Sequence, residues 1–211
     1  MEDTGRANHS NDDGTVGLGG DTDIPIDETK KAMVQKPGAL KIYDGALSDE
    51  FADELIELFN LNVDLHENQK SDNLEYIDYN YTENHKDEDV HKKLMEHTGQ
   101  LYKHYLKDLG TPNMINVSGF EEIKIQKFEK GIGYHDLHLG AVNHESAIRA
   151  VHFTWFLNET DGNIDYPLQR IGIQPKKGRV VITPVSWEYP SKNYISKESD
   201  KYMLETFLHF A

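Results

Sequence analysis

The stretch Gly133-Tyr134-His135-Asp136-Leu137-His138-Leu139-Gly140 holds two of the chain's eleven histidines, three residues apart, with an aspartate beside them. Imidazoles and carboxylates are side chains that bind non-haem Fe(II) and similar divalent ions. On an extended strand His135 and His138 would point to opposite faces, so they need a turn or a bulge to reach one ion. His152, in the next apolar run, could project into the same region. The sequence therefore offers one candidate metal site, made of His135, Asp136, His138 and His152.

The residues around this stretch have the pattern of a β-rich domain. Beyond about residue 116 the hydrophobic pattern has a period of two, and Gly, Pro and Asn turns interrupt it. The predicted strands are 120–129, 148–157, 171–174, 179–183 and 201–210.

Two helices are predicted before these strands. Ser48 is a candidate N-cap followed by two acidic residues, and apolar residues at i, i+4, i+7 and i+8 give a buried face to a helix over 49–60. A longer apolar stripe predicts a second helix over 87–109. The polar region 61–86 between them is predicted to be loop or irregular strand. Two helices followed by a run of strands indicate an α+β domain with an all-β core.

The composition fits one folded domain behind a polar tail. The 211 residues are 37% hydrophobic and 28% charged, and the formal net charge is −15. Among the first 30 residues there are eight acids against two bases. Such a segment buries too little apolar surface to offset the entropy of ordering. We therefore predict a disordered acidic tail over 1–36 and a folded domain over 37–211.

Charge and hydropathy exclude several function classes. The net negative charge would repel nucleic-acid phosphates, and no apolar run approaches the ~18 residues of a membrane span. The chain has no cysteine, which excludes disulfides, thiolate ligands and cysteine nucleophiles. The N-terminus lacks the basic-then-apolar order of a secretory signal. We therefore expect an intracellular or virion-associated protein that is not secreted and binds neither nucleic acid nor membranes.

Seven fragments between about residues 39 and 210 occur in a characteristic order. They include Ile123-Lys124-Ile125-Gln126-Lys127-Phe128 before a glycine turn, a strand over 149–158, the hairpin Pro175-Lys176-Lys177-Gly178-Arg179 and a last strand from Lys201. Together they resemble the prolyl-4-hydroxylase-like branch of the Fe(II)- and 2-oxoglutarate-dependent oxygenases, particularly its short phage-type members. The resemblance implies a double-stranded β-helix, or jelly roll, with two N-terminal supporting helices. It also implies an oxidoreductase that uses Fe(II) and 2-oxoglutarate.

The resemblance further implies an iron site held by two histidines and one carboxylate. It places His138 at the first histidine. Gly140 falls at the carboxylate position, where a glycine offers no ligating side chain. Trp187-Glu188-Tyr189 occupies the place of the distal histidine, and no histidine occurs between 153 and 208. Tyr189 is a neutral phenol at pH 7 and a poor Fe(II) ligand. Losing two ligands should lower the metal affinity by far more than the roughly 10- to 100-fold that follows from changing residues around the ligands.

The same resemblance implies a cosubstrate site at the start of the last strand. Lys201 would pair with the distal carboxylate of 2-oxoglutarate as a charged donor. Strand alternation then puts Glu205 on the same inward face. On the neighbouring strand Thr154 and Phe156 share this face. Phe128 and Phe156 stand where tyrosines are common in the family, and both lack the hydroxyl group that could bind a carboxylate.

Two hypotheses of different classes follow. In the first, the domain is a degenerate oxygenase, a pseudoenzyme without cofactor, that acts as a binding or structural protein with a protein partner or in a phage particle. In the second, it is an active 2-oxoglutarate-dependent dioxygenase of a protein side chain with Fe(II) in a rearranged site. The missing ligands favour the first hypothesis, whereas the retained Lys201 favours the second.

Overall fold

Antiparallel strands form most of the protein. The computed structural model describes residues 32–34, 38–71, 74–111, 115–132 and 136–211. The strands within these residues are β1 (Ala32–Val34), β2 (Lys41–Asp44), β3 (Glu67–Ser71), β4 (Leu74–Asn80), β5 (Val117–Phe120), β6 (Lys124–Phe128), β7 (Arg149–Phe156), β8 (Ile164–Tyr166), β9 (Ile171–Ile173), β10 (Val180–Pro184), β11 (Lys192–Asn193) and β12 (Lys201–Phe210). They make two sheets that pack face to face.

The larger sheet has the order β1-β2-β10-β7-β12-β6-β4-β3, and β5 pairs with the C-terminal part of β12. The smaller sheet has the order β11-β8-β9. A core of apolar residues joins the two sheets, and it includes Phe128, Phe156 and Met203 from the large sheet and Ile164 and Ile173 from the small one. This sandwich has the layered architecture of a jelly roll.

Helices cover the opposite face of the large sheet. They are α1 (Asp49–Leu61), the short α2 (Tyr81–His85) and α3 (Asp89–Asp108). Successive strand residues face opposite ways, so Phe153 and Trp155 of β7 pack with the helices, whereas His152 and Thr154, which alternate with them, face the small sheet. No helix in these described ranges is long and apolar enough to cross a membrane.

The predicted α+β fold with a jelly-roll core and N-terminal supporting helices is confirmed. The helices predicted over 49–60 and 87–109 correspond to α1 and α3, and the five predicted strands correspond to β6, β7, β9, β10 and β12. The region 61–86 was predicted as loop or irregular strand, but it forms the β3–β4 hairpin and α2.

The predicted boundary of the N-terminal tail differs from the structure at one point. Residues Ala32–Val34 were assigned to the disordered segment, yet they form β1. The reason is a non-local contact, because the backbone of this Ala-Met-Val run pairs with β2 at the edge of the large sheet. Residues 1–31 and 35–36 of the predicted tail lie outside the described residues.

The start of α1 depends on a side-chain cap. Ser48 is buried, and its Oγ accepts a hydrogen bond of 3.1 Å from the backbone N–H of Phe51. We expect Ser48→Ala to lower the free energy of unfolding by about 1 kcal/mol because this N–H loses its partner. Thermal denaturation should show a midpoint lower by about 2–4 °C. Ser48→Thr keeps the hydroxyl acceptor and should lower the free energy of unfolding much less. An equal decrease in both variants would contradict the capping role.

Candidate functional site

A cavity of about 510 Å³ opens at the mouth of the jelly roll, between the two sheets. The loop 136–140 forms one wall, and His152 and Glu205 of the large sheet form its base. A deeper cavity of about 30 Å³ adjoins it and is lined by both of these side chains together with His138 and Ser191. The first of the predicted metal ligands, His138, therefore lies at the mouth of the barrel.

Ser191 is the residue that faces His138 across this mouth. The backbones of the two residues pair reciprocally, with both N–H to O=C distances at 3.0 Å, and Ser191 Oγ is 3.5 Å from His138 Nε2. Tyr189, which the resemblance implies at the place of the distal histidine, lines the same cavity. Its hydroxyl accepts a hydrogen bond from the backbone N–H of Ala39 at 3.2 Å.

A side chain at the position of Gly140 would be crowded by its neighbours. A Cβ atom on Gly140 would lie 3.1 Å from Val185 Cγ1 and 3.2 Å from Phe207 Cε1, closer than ordinary van der Waals contact. The backbone carbonyl of Gly140 also accepts a hydrogen bond of 2.8 Å from Arg149. Neighbouring side chains thus fill the place where the resemblance implies a metal ligand, and the arginine holds the loop against them.

His152 is held by its protein neighbours. Its Nε2 atom is 3.2 Å from Glu205 Oε1 and 3.2 Å from Thr154 Oγ1, and its ring stacks on Phe207 at 4.2 Å between centroids. Burial raises the pKa of Glu205, but the attraction of His152, with smaller contributions from His138 and Arg149, outweighs it and leaves the pKa below its ordinary value. Glu205 is therefore ionised at neutral pH, and its carboxylate contacts the imidazole of His152.

The predicted rearranged metal site is not assembled among the residues that the structure describes. Asp136, His138 and His152 all line the mouth cavity. Even so, no group of three or more His, Asp or Glu side chains in the described ranges has an arrangement that could hold a metal ion. His135, the fourth predicted ligand, lies outside the described residues.

Lys201 points into the protein as predicted, but its ammonium group is occupied by the chain itself. It is fully buried and donates hydrogen bonds to the backbone carbonyls of Gly162 at 2.9 Å and Tyr194 at 3.0 Å, and to the side-chain oxygen of Asn193. Burial lowers its pKa to about 7, partly offset by the charge of Asp161. Three protein oxygens thus take the three donors that a cosubstrate carboxylate would need.

The other predicted cosubstrate residues surround very little space. Phe128 packs against Tyr76 at 5.1 Å between ring centroids, and Phe156 is fully buried in the core between the sheets. Thr154 lines the deeper cavity together with Phe128, and this cavity of about 30 Å³ has room for only a few water molecules. Neither Fe(II) nor 2-oxoglutarate therefore fits the residues present, since ligand positions are altered or filled and the anchoring lysine is already paired.

The fold is that of prolyl-4-hydroxylase-like 2-oxoglutarate oxygenases, which confirms the predicted resemblance at the level of the fold. The chain is similar to the viral collagen prolyl hydroxylase of Paramecium bursaria Chlorella virus 1, solved with 2-oxoglutarate, with a TM-score of 0.63 and 17% identity over 83% of this chain and 98% of that one.

Two cellular enzymes are similar to the same extent. A prolyl-4-hydroxylase from Pseudomonas putida gives a TM-score of 0.66 at 13% identity, covering 83% of this chain and 94% of that one. A prolyl hydroxylase from Trichoplax adhaerens was solved with a peptide of the hypoxia-inducible factor oxygen degradation domain. It gives a TM-score of 0.65 at 13% identity, covering 82% of this chain and 84% of that one. No protein-family model and no curated protein sequence matches the chain. At these identities the likeness defines the fold, and the chemistry must be argued from the site.

Proposed function

We propose that this domain is a non-catalytic binding protein, which uses the open mouth of the jelly roll as a ligand site and needs neither Fe(II) nor 2-oxoglutarate. The observation that carries the proposal is the pairing of Lys201. Its buried ammonium already has three oxygen acceptors from Gly162, Asn193 and Tyr194. A dicarboxylate could bind there only by breaking these hydrogen bonds, which would leave buried acceptors without donors.

Two further observations support a role without metal. Val185 and Phe207 lie close beside Gly140, and the side-chain group 3.5 Å from His138 Nε2 is the hydroxyl of Ser191 rather than a second imidazole. Restoring one ligand would therefore still leave the set incomplete. The mouth cavity itself stays open, and its volume of about 510 Å³ is in the range of small-molecule and peptide sites. The scaffold thus keeps a place for a ligand after losing the requirements for the chemistry.

The alternative is an active 2-oxoglutarate-dependent hydroxylase with a rearranged site. It draws support from the presence of His138 at the mouth cavity and of the buried Lys201 in the last strand. The two proposals differ in what stabilises the folded protein, since any ligand of the native state must raise its stability. A protein partner, and assembly into a phage particle in particular, stay predictions from the sequence.

We expect the thermal midpoint to be unchanged by 2-oxoglutarate together with Fe(II), or with Mn(II) as a redox-stable substitute. A ligand present at about 100 times its Kd would stabilise the fold by about 2.7 kcal/mol, a shift that thermal denaturation detects readily. Succinate release in air should equal that of a heat-denatured sample.

The viral collagen prolyl hydroxylase serves as the positive control for both measurements. Succinate release that depends on Fe(II) and disappears in His138→Ala would overturn the proposal and support the hydroxylase. Stabilisation by 2-oxoglutarate that disappears in Lys201→Met would also contradict it.

A further inference from the structure

A second cavity of about 630 Å³ continues from the mouth across the concave face of the large sheet. It runs over β4, β6 and β12, and it shares five lining residues with the mouth cavity, among them Tyr76, Gln126 and Glu205. The two cavities therefore form one continuous depression, which we call the acidic groove. Its defining residues are Tyr76, Asp78, Glu121, Glu122, Gln126 and Glu205.

The groove carries an excess of negative charge. Five carboxylates line the two cavities against two permanently charged bases, Arg149 and Lys124, as far as the structure describes them. Arg149 already donates hydrogen bonds to both carboxylate oxygens of Glu121, at 2.6 and 2.7 Å, and its guanidinium group stacks on the ring of Phe207. Glu121 also accepts from His209 at 2.7 Å. The excess charge therefore falls on the other carboxylates, notably Asp78 and Glu205.

Asp78 is a buried carboxylate that is only partly paired, with Gln126 and Lys124 as its polar neighbours. Its side chain lines the groove and is only 4% exposed, and its Oδ1 atom has no hydrogen-bond partner within the described part of the chain. Its Oδ2 atom is 3.7 Å from the Nζ of Lys124, which is too long for a hydrogen bond. A buried carboxylate oxygen left unpaired is costly, and such groups in folded proteins call for an explanation.

The electrostatic surroundings of Asp78 favour a cation beside it. Burial raises the pKa of Asp78 to about 6; the charges of Glu205 and Glu67 act in the same direction, and Lys124 and Gln126 offset this only in part. A positive charge placed between Asp78 and Glu205 would relieve both the burial and the repulsion. The local chemistry thus selects for an alkylammonium or a guanidinium group.

We infer that the acidic groove binds an extended peptide segment of a partner protein, with a lysine or arginine side chain placed between Asp78 and Glu205. The inference rests on the proposed function and specifies its ligand. A groove made of two joined cavities suits a chain that passes through it better than one compact small molecule. Tyr76 lines both cavities beside the two carboxylates, so its ring can contact the cation or its alkyl stem.

The protein's own chain is a poor occupant of this groove. The first 30 residues carry eight acids against two bases, and a second copy would bring a net charge of −15. Both have the same sign as the groove and would be repelled. A basic partner segment, by contrast, would be attracted by the whole protein as well as by the groove.

The test is an NMR titration of the full chain with the acetylated and amidated peptide Ala-Ala-Lys-Ala-Ala. We expect shifts in the backbone amide signals of β4, β6 and β12, with a Kd on the order of 1 mM for so short a probe. The same peptide with norleucine in place of lysine has an uncharged side chain of similar length, and it should bind at least about tenfold more weakly. Spermidine, a cation without a peptide backbone, should also bind more weakly than the lysine peptide.

Two variants locate the cation. Asp78→Asn should weaken binding of the lysine peptide at least about tenfold, whereas Glu57→Gln, which removes one negative charge from the exposed face of α1, should leave it unchanged. Equal binding of the lysine and norleucine peptides, undiminished binding by Asp78→Asn, shifts outside the groove or no binding at all would each overturn the inference. Spermidine binding as tightly as the peptide would overturn the assignment to a peptide. None of these results involves succinate release, so failure here is distinguishable from failure of the proposed function.

Discussion

Replacing Lys201 with methionine is expected to lower the free energy of unfolding by about 2–4 kcal/mol at pH 7. The substitution keeps most of the aliphatic stem but removes the only charged donor that the structure shows for Gly162 O, Asn193 Oδ1 and Tyr194 O. These acceptors lie where the residue is completely buried, so water cannot replace the ammonium without local opening. Part of this loss of stability is offset because the variant no longer buries a charged ammonium group. Chemical denaturation should report a lower midpoint with an unchanged slope, and the thermal midpoint should fall by about 5–15 °C.

This result separates a structural lysine from a cosubstrate anchor. A lysine kept only to bind 2-oxoglutarate would be a buried charge without partners in the free protein, and its removal would leave stability unchanged or improved. Lys103→Met, on the exposed face of α3, is the matched control and should shift the midpoint by less than about 0.5 kcal/mol. A Lys201→Met protein as stable as the control would contradict the pairing on which the proposed function rests.

The sequence predicted the parts of this fold whose pattern is local. The apolar stripes of α1 and α3 and the apolar runs of β7, β10 and β12 are each visible within one element, and these strands are buried almost throughout. The β3–β4 hairpin was missed for the same reason. Its first strand, Glu67–Ser71, is polar and almost entirely exposed, so it carries no apolar alternation to read. Pairing with β4 and then β6 orders it instead.

The candidate site shows a similar division. Lys201 and His138 were predicted as site residues from short motifs; Lys201 is buried and His138 lines the mouth cavity. The partners that decide their chemistry come from distant loops: Ser191 pairs with His138, and Gly162 and Tyr194 bind Lys201. Such contacts depend on loop register, which local sequence does not fix. Asp78 was missed because it lies in the region predicted as loop, and only the three-dimensional structure reveals its unpaired oxygen.

Asp78→Asn is expected to stabilise the protein at pH 8, by at most about 3 kcal/mol. Burial raises the pKa of Asp78 from 3.8 to about 6 in the folded state. Such a shift favours the folded state fully below the unfolded pKa, and this contribution is lost as the pH rises through 6. Above pH 6 the wild-type protein therefore holds a buried, ionised and incompletely paired carboxylate. Asparagine at this position is neutral and has no charge to bury.

The pH dependence distinguishes this effect from a change in packing, because aspartate and asparagine have nearly the same shape. Thermal midpoints of both proteins should differ most at pH 8 and converge as the pH falls toward 4, where Asp78 is protonated in the folded wild type. Glu205→Gln should give the opposite sign. The pKa of Glu205 is held low by His152, so removing its charge should destabilise the protein at neutral pH. A pH-independent difference for Asp78→Asn would contradict the assignment.

The two effects of Asp78→Asn, higher stability and weaker binding of a lysine peptide, would together explain why the groove contains an aspartate. A residue that served only the fold would be improved by a substitution that removes its buried charge. A carboxylate that binds a cationic ligand instead lowers the stability of the free protein, and the protein regains that stability when the ligand pairs with the carboxylate. At pH 8 the lysine peptide should therefore raise the thermal midpoint of the wild type more than that of Asp78→Asn. Equal shifts would mean that the buried carboxylate and the ligand are not coupled.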